Sequence, residues 1–164
     1  MEEKKYIQLD DNKDVLKLWI KTKDGQETGD YLEFNLEDIE LLDTLQKMQD
    51  ETTKNHQWIK SQFVIIDKKQ DFKKKNKLMS NNEEMKYQAI KKYYQKQKDI
   101  FNMFLGENGV EKLLYGRKFD WQTLEEISKI IETQISPQLH ITMDNITNKI
   151  KNKYGNVKEK NVLE

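Results

Sequence analysis

The chain has 164 residues and a mass of 19.8 kDa, with 35% of its residues hydrophobic and 35% charged, so its apolar core must be thin for its length. Basic and acidic residues balance at 29 each, which removes any global field toward nucleic acid or a membrane surface. Cys is absent, excluding disulfides, thiolate metal sites and thiol nucleophiles, and there is neither an apolar run long enough to span a bilayer nor a charged-then-apolar leader.

Aromatic residues at 10% argue against wholesale disorder, and a single Pro with six Gly leaves few breakers, so long helices are expected. A soluble intracellular protein follows, mostly α with some β (α+β): an N-terminal β-hairpin segment (1–36), an antiparallel helical core (37–136), and a C-terminal helix with a polar tail (137–164). Of the 29 basic residues 28 are Lys, and Arg117 is the single Arg. With 15 Ile and 13 Asn, this reflects an A/T-rich coding sequence and withholds the usual bidentate reader of guanine and phosphate.

The run Val15 to Lys21 alternates, with Leu16, Leu18 and Ile20 on one face, and Tyr31 to Leu36 alternates again. Asp24-Gly25 between them supplies a turn, so a hairpin is predicted. An isolated hairpin is marginal in water and must pack on the helices or join another chain's sheet. From Asp38 the period becomes helical: Ile39, Leu42, Leu45, Met48, Ile59, Phe63 and Ile66 share a stripe, with Asn35 as candidate cap. The polar stretch Asp50 to Gln57 leaves one long helix or two kinked ones open.

Residues 67–82 are Lys-rich, and Ser80-Asn81-Asn82-Glu83 reads as a capping box. The helix it starts carries Tyr87, Ile90, Tyr94, Gln97, Phe101 and Phe104 on one stripe and ends at Gly106 and Gly109. A short helix through Val110, Leu113 and Leu114 stops at Gly116. Asp120 caps the next, with Trp121, Leu124, Ile127, Ile131 and Ile135 on one face. Ser136-Pro137 is expected to reset the chain. Leu139, Met143, Ile146 and Ile150 then form a narrow stripe on a last helix, and beyond Gly155 the polar tail is expected to fray. That stripe is too thin for a central core helix and suits a partner's groove, which makes these four residues candidate partner-binding positions.

Charge is segregated: residues 1–66 carry a net −6, residues 67–105 a net +6, and the remainder balances. Antiparallel pairing of the acidic and basic helices is the simpler reading, and a basic patch for an acidic partner the sharper one. No catalytic or metal motif emerges, and no cofactor is expected. His56 and His140 lack any ligand spacing, with His56 read as a solvated residue. The four Ser fall at helix interiors, caps or ends, and Gly106-Glu107-Asn108-Gly109 lacks the Gly-Lys-Ser/Thr of a phosphate loop. The Lys/Tyr-rich region 68–98, with Phe72, Tyr93 and Tyr94, allows a weaker nucleic-acid-binding reading.

Three segments together resemble a known family. Phe34-Asn35-Leu36-Glu37-Asp38-Ile39 opens a long helix, Phe63-Val64-Ile65-Ile66-Asp67-Lys68 closes it, and Phe104-Leu105-Gly106-Glu107-Asn108-Gly109-Val110-Glu111-Lys112-Leu113-Leu114-Tyr115-Gly116 precedes the Trp121 helix and the Ile135-Ser136-Pro137 stop. Over residues 31–137 this order is similar to the small tail assembly chaperones of siphophages and prophages of low-GC Gram-positive bacteria. The hairpin with Trp19 and residues 138–164 extend beyond that pattern. The resemblance implies a non-enzymatic helical protein of the bacterial host cytoplasm that binds the phage tape measure protein and helps recruit tail-tube subunits. It also leaves room for self-association, and it brings no membrane partner.

Overall fold

The computed structural model describes residues 2–9 and 14–163, with side chains as far as Gly155. Strands β1 (Val15–Lys21) and β2 (Glu27–Asn35) pair antiparallel, with Leu16 opposite Phe34, Leu18 opposite Leu32, and Trp19 opposite Tyr31. Gly25 takes a φ of 82° in the turn, where its N–H donates to the Thr22 carbonyl. Ile20, Leu32 and Phe34 are buried, and the Phe34 ring stacks on Phe104 with centroids 5.5 Å apart. The hairpin therefore gains its stability from the helices beneath it.

Helix α1 (Ile39–Asp67) is one uninterrupted helix. Its cap is Asp38, whose carboxylate accepts from the Glu40 N–H at 3.0 Å; Asn35 instead ends β2 and accepts from the Glu37 N–H. The strand ends at Asn35, and a turn through Leu36 and Glu37, closed by the Asp38 N–H donating to the Asn35 carbonyl, sets the cap three residues beyond the expected one. Ile39, first on the expected stripe, is exposed, while Leu45, Met48, Ile59 and Ile66 are buried.

Helix α2 (Asn81–Leu105) returns antiparallel to α1, capped by the Ser80 hydroxyl accepting from the Glu83 N–H. The pairing is tied by Lys86–Asp67 at 2.6 Å and by a buried polar layer. In that layer the Asn55 amide donates to the Tyr93 carbonyl and to Gln97 Oε1, both at 3.1 Å, and the Gln97 amide donates to the Thr52 hydroxyl at 3.0 Å. The polar stretch of α1 thus bridges to α2 and leaves the helix intact. In the second half of α2 the expected Gln97, Phe101 and Phe104 face inward with Ile100, but in the first half the buried stripe is rotated to Ala89 and Tyr93, whereas Tyr87 and Ile90 are exposed. Tyr94 turns sideways, edge-on to Phe119 at 5.8 Å.

Gly106 ends α2 at a φ of 97°. Helix α3 (Gly109–Leu114) then packs back on α2, because the Asn102 side chain accepts from the Val110 N–H at 2.8 Å and Lys98 pairs with Glu111 at 2.9 Å. Helix α4 (Trp121–Ile130) starts with a reciprocal cap, in which Asp120 accepts from the Thr123 N–H and Thr123 Oγ1 accepts from the Asp120 N–H. Leu124, Ile127, Ile131 and Ile135 are buried and Trp121 is exposed.

The expected break at Ser136-Pro137 does not occur. A π-helical turn (Ile131–Ile135) joins α4 to α5 (Ser136–Leu163), giving a continuous helix. The Ser136 N–H donates to the Ile131 carbonyl, five residues back. Widening the turn ahead of Pro137 is how a helix accommodates a residue with no N–H to give and a ring that crowds the preceding turn. The helix also continues past Gly155, where fraying was expected, because one Gly costs only about 1 kcal/mol in a helix.

Candidate partner-binding surfaces

Along α5 the four candidate residues separate. Leu139 is 1% exposed and belongs to the core, with Thr142 buried one turn on. From Met143 to Tyr154 every residue except the half-buried Ile146 is exposed, and Ile150 is 55% exposed. The π turn that α5 continues is its one substantial neighbour. The helix therefore leaves the body after its second turn and carries Met143, Ile146, Ile150 and Tyr154 outward on a polar shaft.

A second surface lies between α1 and α2. Glu51, Lys54, Asn55, Trp58, Lys92 and Lys96 line a groove of about 420 Å³ with an apolar floor at Trp58. Next to Asn55, His56 is half-buried against the Tyr93 ring with centroids 5.6 Å apart, and its Nε2 has no hydrogen-bond partner. Burial, with Lys60 adding to it, holds this imidazole below its ordinary range. The solvated His56 expected from its polar neighbours is thus corrected: its own turn of α1 faces α2. His140 is exposed.

The Lys-rich connection Lys68–Ser80 is organised around Asp71, which accepts from the Phe72 and Asn82 N–H groups at 2.9 and 3.0 Å. Those bonds, that of Asn82 foremost, hold its carboxyl below the usual range. Phe72 and Tyr87 are exposed, whereas Tyr93 is buried and so offers no free face for stacking, and Tyr94 is half-buried beside Phe119.

A third surface had no signal in helical periodicity. On the outer face of the hairpin Trp19 is 64% exposed, with its ring 4.9 Å from Tyr31 and Lys17 Nζ over that ring at 4.8 Å. Strict alternation placed Trp19 opposite the core-facing Leu18 and Ile20, which is the clue that could have marked it. Among the described residues no cluster of His, Asp and Glu is placed to hold a metal ion, and no helix is long and apolar enough to cross a membrane. The chain matches no protein-family model, no curated protein and no solved structure.

Proposed function

We propose that this chain is a non-enzymatic tail assembly chaperone that binds a phage tape measure protein in the host cytoplasm and helps recruit tail-tube subunits, as its resemblance over residues 31–137 implies. The observation that supports this reading is α5, which stands off the body with Met143 and Ile150 exposed. Such an amphipathic shaft can lie along a partner's apolar helix while its charged face keeps the pair in solution. Leu139 anchors the shaft and is not itself a contact.

Co-expression with the tape measure protein of the same genome tests this. The chaperone should hold it in the soluble fraction and be recovered with it. Met143→Asp with Ile150→Asp should abolish recovery while leaving the chaperone's melting temperature unchanged. A tape measure protein that precipitates regardless, or is recovered equally with the double variant, would overturn the reading. The rival, nucleic-acid binding through 68–98, rests on the exposed Lys-rich connection. It requires binding to mixed DNA whose affinity falls steeply with salt.

A further inference from the structure

We infer that the Lys-rich connection between α1 and α2 is a docking tip and that its partner is an anionic lipid surface. Three observations meet here. First, residues 68–77 hold six Lys against the single Asp71; all six are exposed, and among the described residues none of them takes part in an ion pair. The Asp71 carboxylate is turned to the Phe72 and Asn82 N–H groups, which leaves the Lys side chains to solvent. Second, Phe72 is 54% exposed and Leu78 90% exposed. With Met79, Lys74 and Lys77 they line one hollow of about 350 Å³, where Glu84 is the one acid, so apolar and cationic side chains stand together. Third, the connection is fixed. The buried Asn82 amide donates to the Ile66 and Lys69 carbonyls at 3.2 and 2.9 Å, and the Asn81 N–H donates to the Phe72 carbonyl at 2.8 Å.

A partner for this tip must offer negative charge and an apolar phase side by side. An anionic bilayer does so: Lys ammonium groups reach its phosphates while Phe72 and Leu78 enter the boundary with the acyl chains. Duplex DNA supplies the phosphates but nothing in which Leu78 can be buried, and the connection has no Arg to grip phosphate bidentately. The placement of charge over the molecule agrees. Residues 37–51, at the opposite end of α1, hold six acids against Lys47. At about 1.5 Å per helical residue the two regions lie roughly 35 Å apart. A chain that is neutral overall is therefore a dipole, and an anionic surface turns its basic tip inward and its acidic end away.

Sedimentation of the full chain with vesicles tests this. It should pellet at low salt with phosphatidylcholine vesicles that contain phosphatidylglycerol, and not with phosphatidylcholine alone. Lys74→Gln with Lys77→Gln should weaken binding about 30-fold, from about 1 kcal/mol for each Lys near an anionic surface. Because the chain has no Cys, an environment-sensitive dye on Leu78→Cys reports insertion cleanly, and its emission should shift to the blue on the anionic vesicles. Met143→Asp with Ile150→Asp, on the distant α5, should bind these vesicles as the unmodified chain does. The inference is overturned if the chain ignores the anionic vesicles, pellets equally with the neutral ones, or binds without a blue shift. Displacement from the vesicles by duplex DNA or by a Glu–Tyr copolymer at matched charge overturns it in favour of a nucleic acid or an acidic protein. Loss of binding in the α5 variant overturns it by moving the lipid contact to that helix.

Discussion

A Cβ on Gly109 would lie 2.5 Å from that of Leu105, inside any allowed contact, so the tight return from α2 into α3 depends on the missing side chain. The neighbouring backbone is also held, with Asn102 bonded to the Val110 N–H and the Gly109 N–H donating to the Gly106 carbonyl. Gly109→Ala should therefore cost about 1–3 kcal/mol, the range for forced overpacking, read as a lower denaturant midpoint at unchanged slope. Gly155→Ala, in open space on α5, is the control and should do no harm. His56 gives a residue-scale prediction of another kind. Its folded-state pKa lies below the unfolded one, so its contribution to stability is fully present above about pH 6.5 and is lost as pH falls through the lower folded value. Melting curves should show stability dropping on the acid side of neutrality, and His56→Phe should flatten the part of that drop above the carboxylate range. An equal drop in the variant would reassign it to other groups.

At the scale of elements, what the sequence made legible were the features decided locally. Alternation around Asp24-Gly25, the Ser80 and Asp120 caps, and the Gly106 and Gly116 stops each depend on a few adjacent residues, and each stands where the pattern put it. The readings that failed depend on a distant partner. Tyr87, Ile90 and Tyr94 keep helical spacing with Gln97 as well as Ala89 and Tyr93 do, and only packing against the facing helix, where Asn55 bonds the Tyr93 carbonyl and Gln97, separates the two sets. Pro137 reads as a stop from its own chemistry, yet the π turn before it absorbs the missing donor. Of the candidate site, the exposure of Met143 and Ile150 agrees with a narrow stripe. The burial of Leu139 was illegible because spacing alone cannot say where a helix leaves the body. The outward position of Trp19 was legible in alternation, which sets it on the face away from Leu16, Leu18 and Ile20, but its packing on the half-buried Tyr31 across the hairpin depends on the register and was not.

For the whole molecule, the continuous helix from Trp121 to Leu163 divides the chain into a body and a projecting shaft, and the division falls just past Thr142. On the body side, Ile135 and Leu139 are buried in the same core as Phe101 and Phe104. On the far side, the apolar side chains contribute little to that core. Two truncations should consequently behave differently. Deleting residues 145–164 should leave the cooperative melt of the body nearly intact while abolishing recovery of the tape measure protein. Deleting residues 138–164 also strips Leu139, whose loss alone is worth about 2–5 kcal/mol when the cavity cannot collapse, and a thin core has little margin for that. The shorter product should melt well below the longer one. If the two melt together, Leu139 is not an anchor and α5 is a free appendage from Pro137 onward. If the 145–164 deletion itself unfolds the chain, the shaft belongs to the body, and Met143 and Ile150 are not held outward for a partner.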